Sequence, residues 1–416
     1  MTSRSLQAAM VCLASMTALA VAMGVGRFAF TPLFPLMVRD GLLDGRAGAW
    51  LAAANYLGYL AGALTAARIT LRPALLMSAG LAATVGITAA VGWTTTLPIW
   101  IVLRFLAGVA SAWTLVATST WGLGWLAALG RPGLAGILFS GVGLGIAGAG
   151  LYCLMAPGSA PGFAPGLAPS SPAMWVGLAG LAALASLLPL AVGWRLPVYM
   201  AAGSGADAGA GMAQQPAPTR PASTATTGLV ACYVLFGFGY ILPATYLPAL
   251  ARQLVDDPQV FGLAWPLFGA AAALSTVLVT WRLARVDRLL LWAACHVLMG
   301  IGVLLPVFWT TLSGVVAAAL LVGGTFMVIT MVAMQEARAR AETQVTQVLG
   351  RMTAGFAAGQ LAGPLVNAAV AHGAASEAAA LHMALGLSAA GLLASAVYLW
   401  REYRLNQYLT HQWSKR

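Results

Sequence analysis

The chain has 416 residues, of which 60% are hydrophobic and only 7% charged, with a formal net charge of +11. No water-soluble domain of this length could cover its surface with so few charges, so lipid must be the solvent for most of the chain. The basic excess comes with no nucleic-acid motif, and anionic lipid headgroups are the expected neighbours.

Crossing about 30 Å of hydrocarbon takes about 20 helical residues, and apolar runs of that order recur along the whole chain. They lie at 8–38, 47–67, 74–94, 98–125, 133–156, 173–193, 227–250, 259–281, 289–309, 312–334, 345–371 and 379–400, which makes twelve. Only a helix satisfies its own backbone in hydrocarbon, so each run predicts one. The first run has a rival reading, because Arg4, an apolar stretch and Ala18-Leu19-Ala20 imitate a cleavable secretory signal. Apolar character that continues unbroken to Met37 favours a span instead. The loop PGSAPGFAPGLAPSSP at 157–172 reads as an extended surface segment, and 194–226, rich in Ala, Gly, Pro, Ser, Thr and Gln, as a flexible linker. The linker divides the chain into units 1–193 and 227–400, followed by a basic tail at 401–416.

Charge placement predicts the orientation. With a cytoplasmic amino terminus, the inner segments hold sixteen basic residues and the outer ones only Arg39, Arg46 and Arg252. Both termini, the linker and the tail are then cytoplasmic. Cys12, Cys153, Cys232 and Cys295 stand singly in different spans and read as packing thiols rather than as metal ligands or disulfides.

The two units echo each other. GVGRFAFTPLFPLM at 24–37 aligns without gaps on GFGYILPATYLPAL at 237–250, each in the first span of its unit, as in parallel-repeat transporters. With AANYLGYLAGAL at 53–64, LRFLAGVASAW at 103–113, LAGILFSGVGLGIAGAG at 134–150 and GQLAGPLV at 359–366, the chain resembles the major facilitator superfamily over essentially its full length, and its YbfB/YjiJ branch in particular. The resemblance implies an all-α integral membrane fold: two six-helix bundles around a cavity lined by spans one, four, seven and ten. Spans two, five, eight and eleven would form the interface between bundles. Small residues four apart fit such an interface, at Gly58 and Gly62, Gly141 and Gly145, Gly269 and Ala273, and Gly355, Gly359 and Gly363.

Of the 31 charged residues (21 basic, 10 acidic), only Arg27 and Arg104 lie well inside apolar spans, and every carboxylate falls in a loop or at a helix end. An arginine near mid-membrane costs about 2.5–3.5 kcal/mol on insertion scales, and no carboxylate at that depth is available to pair with it. Two unpaired cations favour an anionic visitor. Arg27 stands beside Gly24 and Gly26 and before Pro32 and Pro35, residues that bend a helix and free backbone carbonyls. It either binds a carboxylate or phosphate bidentately or donates to those carbonyls and holds the helix shape. Arg104 lies in RFLAG, similar to the superfamily's fourth-helix arginine motif, for which helix bridging and ligand contact both stay open. His296 reads as a packed neutral histidine.

Asn55 and Tyr59 on one face of span two, Tyr240, Thr245 and Tyr246 in a span seven expected to be broken by proline, and Gln360 before Gly363-Pro364, where the backbone of span eleven is expected to open, complete the expected cavity. Two departures from the superfamily stand out. Gly62-Ala63-Leu64-Thr65-Ala66-Ala67-Arg68 has alanine where the cytoplasmic gate motif has aspartate, and span five lacks the proline of drug antiporters. The expectation is a secondary transporter moving a small organic anion such as a carboxylate by alternating access, with a coupling proton or a counter-transported anion. Efflux of neutral or hydrophobic compounds is the alternative within transport, and a non-transporting membrane sensor or scaffold the alternative outside it. No Ser/His/Asp grouping, phosphate-binding loop or metal cluster suggests an enzyme or a cofactor.

Overall fold

The computed structural model describes residues 3–155, 169–196, 222–254, 262–341, 344–371 and 376–413, and among these every regular element is helical. Helix α1 runs as Ser3–Leu19, widens into a π-helical stretch, Ala20–Phe28, and resumes as Phe30–Arg39. There follow α2 (Gly45–Ala66), α3 (Pro73–Trp93), α4 (Leu97–Ala128), α5 (Ala135–Leu154), α6 (Ser171–Arg195), α7 (Ala222–Leu254), α8 (Ala264–Arg282), α9 (Arg288–Phe308), α10 (Leu312–Arg340), α11 (Val345–Ala371) and α12 (Glu377–Trp413). By length and composition 11 helices suit a membrane. The remaining one, α2, has a comparable 22 residues but carries Arg46, Asn55 and two tyrosines. Each predicted span falls on one helix, and the first run is built into the bundle, with Ala14, Ala18 and Leu19 fully buried. The even number of crossings puts both ends of the chain on one face, called here the termini face. Residues 157–168 and 197–221, most of the predicted loop and linker, lie outside the described residues.

Local signals set the helix ends. The side chains of Asp44, Ser170, Asp287 and Thr311 accept from the first-turn amides of α2, α6, α9 and α10, and α3, α4 and α6 carry proline in the first turn. Exposed Trp50, Trp93, Trp194 and Trp281 mark helix ends, where amphipathic rings favour the headgroup level. Carboxylates stay at the rim as expected: Glu336, near the end of α10, accepts from Arg288 and Arg340 at 2.9 Å each.

Helices α5 and α8, and α2 and α11, join the first six helices to the last six. The small-residue stripes work differently from the sequence expectation. Gly58 and Gly62 press against the backbones of Phe105 and Val109 on α4, Gly141 and Gly145 against Met16 and Ala20 on α1, and Gly359 against Val234 on α7. These stripes fasten helices within one half. Only Gly269 and Ala273 serve the boundary between halves, and their partners on α5 are Gly143 and Ala147, one helical face away from the stripe singled out in the sequence. Gly136 and Gly150, seven residues to either side of Gly143, also meet α8, so α5 presents one small-residue rail to each half. On the termini face, Gly350 of α11 sits on Ala67, and Arg338 of α10 donates to the Thr120 carbonyl on α4 at 3.3 Å. At Ala67 the contact is an uncharged close approach, where the superfamily's loop would place an acidic gate.

At the opposite face Asp40 accepts from the Ser171 amide at 2.6 Å and from Arg39 at 2.9 Å, tying the end of α1 to the start of α6. Burial would raise the Asp40 pKa, but those hydrogen bonds and the Arg39 charge together hold it below the ordinary aspartate value. A depressed carboxylate contributes stability above the unfolded pKa of about 4 and loses it as pH falls through the folded value. The melting-temperature gap between wild type and Asp40→Asn is therefore expected to be full at pH 7 and to close on acidification through the aspartate range. A second prediction compares two glycines of α5. A Cβ at Gly145 would collide with the Ala20 backbone, while Gly148 has open space. Gly145→Ala should destabilise by about 1–3 kcal/mol through overpacking, and Gly148→Ala should melt no lower than wild type.

Candidate substrate-binding site

The site begins with the wide turn of α1. A π-helical stretch leaves backbone carbonyls without their usual intrahelical donors, and such stretches persist only where other groups supply them. Two side chains of α4 do so. Ser111 donates to the Ala22 carbonyl at 2.7 Å, and Arg104 donates to the carbonyls of Gly26 and Arg27 at 3.4 and 3.3 Å. Phe30 places its ring 4.6 Å from the Arg104 guanidinium, which is buried. Asn55 of α2 donates to the Arg104 carbonyl at 3.0 Å and faces α4. Arg104 and Asn55 thereby brace α1, α2 and α4 together, with Arg104 Nε and Asn55 Oδ1 left without partners among the described residues.

The same widened turn aims Arg27 away from its own helix and at the other half of the molecule. Arg27 is 2% exposed and donates through Nη2 to Oε1 of Gln360 on α11. Its guanidinium lies 3.7 Å from the centre of the Tyr59 ring, with Phe28, Tyr56 and Phe356 at 5.3, 5.9 and 5.9 Å. Stacking on ring faces offsets part of the desolvation of a cation. It does not replace hydrogen bonds: Nε and Nη1 of Arg27 and Nε2 of Gln360 are buried with no partner among the described residues. All three atoms are donors. Among the described residues no salt bridge reaches Arg27 or Arg104. One buried point therefore gathers a full positive charge and unused N–H groups, with no acceptor of matching charge.

Next to it lies a cavity of about 10 Å³, room for roughly one water molecule. Helices α1, α2, α4, α5, α7, α10 and α11 line it, and four of its ten lining residues are aromatic: Tyr59, Tyr233, Phe326 and Phe356. The aromatic packing continues outward. Tyr240 stacks on Phe326 at 4.3 Å between ring centres, and Phe28 of α1 meets Trp265 and Phe326 edge-on across the boundary between halves. The hydroxyl of Tyr240 and the indole nitrogen of Trp265 are buried without partners among the described residues.

The structure thus brings Arg27, Tyr59 and Gln360 together with Tyr240 nearby, and directs the side chains of Arg104 and Asn55 to the backbones of α1 and α4 instead. The backbones of Thr245 and Tyr246 continue α7, while their side chains lie outside the described residues. Two local expectations are corrected. Helix α7 is continuous through Pro243 and Pro248, and α11 through Pro364, so neither opens its backbone; among the described residues the interruption of this kind is the π stretch in α1. Tyr233, Phe326 and Phe356 were not singled out in the sequence, although Tyr233, Phe236 and Tyr240 recur at helical spacing and Phe356 stands four residues before Gln360. His296 is fully buried, accepts from the Trp292 indole at 2.9 Å and stacks on Phe236, outside the cavity lining.

The two arginines should respond oppositely to neutralisation. Arg104→Gln strips two α1 carbonyls of their donors and is expected to cost about 2–4 kcal/mol, read as a lower melting temperature in detergent. Arg27→Gln removes an incompletely satisfied buried charge and should melt at or above wild type.

Residues 19–399 match the family described as "Uncharacterised MFS-type transporter YbfB". Among solved structures, the human organic anion transporter MFSD10 (TETRAN) superposes with a TM-score of 0.71, covering 96% of this chain and 100% of that one at 14% identity. At that identity the likeness speaks for the fold alone. A comparison with curated proteins finds no match. The family match spans nearly the whole chain and agrees with the twelve-helix architecture, so this multi-pass membrane protein belongs to the YbfB-type family of major facilitator superfamily transporters.

Proposed function

We propose that this transporter moves a small organic anion, and that Arg27 is the residue that meets its negative charge. The observation that carries the reading is the donor set at the boundary between halves: Arg27 Nε and Nη1 and Gln360 Nε2, buried together with no acceptor among the described residues. An arriving carboxylate supplies two acceptor oxygens and the missing charge in one group. Because Arg27 belongs to α1 and Gln360 to α11, an anion bound between them also changes the contact that joins the halves. Alternating access follows naturally from a site so placed, with the charge neutralised while the halves rock. The paucity of basic residues on one face supports an orientation with both termini in the cytoplasm and residence in a bacterial inner membrane. A proton carried by the substrate, or exchange against a second anion, would drive it.

Transport of neutral hydrophobic compounds has the aromatic lining in its favour. It gives the uncompensated Arg27 nothing to do, and retaining such a group costs stability without return.

The test is a thermal-shift panel of carboxylates, inorganic phosphate, sugars and lipophilic cations on detergent-purified protein, since a ligand that prefers the native state raises its melting temperature. An anion is expected to give the largest shift. Arg27→Gln should weaken that binding at least tenfold while remaining folded, and Arg27→Lys should retain part of it as a point charge without the fork. Unchanged anion binding in folded Arg27→Gln protein would overturn the assignment.

A further inference from the structure

We infer that the cargo is a monovalent aromatic carboxylate, an inference that rests on the anion reading of the same site and narrows it by counting what the pocket can and cannot satisfy.

Charge comes first. Arg104 turns Nη1 and Nη2 to the Gly26 and Arg27 carbonyls and keeps only Nε without a partner among the described residues, so of the two Arg27 is the cation directed at the boundary between halves. A dicarboxylate or a phosphate dianion would bring a second negative charge into a buried site with no second cation to meet it. No carboxylate of the described residues stands at this depth, since Glu336 is already paired with Arg288 and Arg340 near the end of α10. An amino-acid zwitterion would therefore bury its ammonium unpaired.

Hydrogen-bonding capacity comes next. The hydroxyls of Thr330 and Thr353, the two threonines of the cavity lining, donate to the carbonyls of Phe326 and Leu349 on their own helices, at 3.2 and 2.8 Å. A sugar or other polyol would leave several hydroxyls without partners, a cost incurred for each group. Beyond the Arg27 and Gln360 donors, the Tyr240 hydroxyl and the Trp265 indole N–H are the nearby groups left over among the described residues, too few for a polyol. What remains is an anion whose body makes few polar demands.

The lining then selects a flat body. Tyr59 comes from the first half and Tyr233, Phe326 and Phe356 from the second, so rings face the cavity from both sides of the boundary. The rings already pack on one another, as in the parallel Tyr240 and Phe326 pair and the tilted Phe236 and Phe356 pair at 4.9 Å. A ligand ring entering as the halves part replaces such contacts in kind, by offset or edge-on stacking, while its carboxylate takes the place of Gln360 on Arg27. Empty space of about 10 Å³ is far smaller than a benzene ring, so occupancy requires that parting of the halves.

The experiment is thermal melting of the full-length protein in detergent with five probes: benzoate, acetate, benzamide, phthalate and phenylalanine. Benzoate is expected to raise the melting temperature saturably, with acetate needing about tenfold more or greater. Benzamide, phthalate and phenylalanine should leave the melt unchanged. Phe356→Leu should bring benzoate down toward acetate, whereas Arg27→Gln should abolish both responses. Acetate, phthalate or phenylalanine matching benzoate, or no response to benzoate, would overturn the aromatic monocarboxylate class while leaving an anion site standing. Benzamide matching benzoate, or an undiminished benzoate response in folded Arg27→Gln protein, would overturn the anion reading itself.

Discussion

A guanidinium held in an apolar interior must find acceptors, and the two such groups of this protein find them to very different degrees. Arg104 is matched to carbonyls that the π-helical stretch of α1 releases, so its cost is recovered as helix shape. Arg27, carried by that same stretch, is turned toward the other half and left with one hydrogen bond, a tyrosine face and two idle donor atoms. One irregularity in α1 thus does two things: it creates the carbonyls that occupy one arginine and it aims the other into the boundary between halves.

The close packing around this point keeps it rigid. Gly24 meets the backbone of Gly145, and Gly58 and Gly108 let α2 and α4 approach at main-chain distance beside Asn55 and Tyr59. In lipid such approach replaces the hydrophobic drive that water would provide. The boundary between halves is built differently, from the Gly136, Gly143 and Gly150 rail of α5 on one side and, beside α11, from the Arg27 and Gln360 contact and aromatic edges. A smooth rail tolerates sliding, and a single polar contact can be exchanged for a ligand. These are suitable properties for an interface that has to move.

The fold was largely legible in the sequence because apolar runs of membrane length have one structural solution, and the isolation of Arg27 and Arg104 was legible because charge at that depth has few. The identity of the glycine partners was not. Spacing shows that Gly58 and Gly62 share a face but not which helix that face meets, and on a chain with 48 glycines several stripes compete. The division of labour between the arginines was equally hidden, since both stand in similar apolar surroundings and only the π turn decides which one receives the freed carbonyls. Prolines misled in the opposite direction: Pro243 and Pro364 looked like breaks, yet their helices run through them, as neighbouring helices can re-satisfy a freed carbonyl. Tyr233 and Phe356 escaped notice because an aromatic stripe on a membrane helix is most often ordinary packing.

The central claim is that Arg27, which has two unfilled guanidinium nitrogens turned toward the boundary between halves where Arg104 has one beside α1, is the arginine that meets the anion. Nitrogen NMR of arginine side chains in protein labelled with 15N-arginine tests it directly, with the two buried guanidinium signals assigned by Arg27→Lys and Arg104→Lys. On addition of a carboxylate that stabilises the protein, the Arg27 Nε–H resonance should move and its proton exchange with water should slow, while the Arg104 signal stays in place. Movement of the Arg104 signal with Arg27 unaffected would contradict the account.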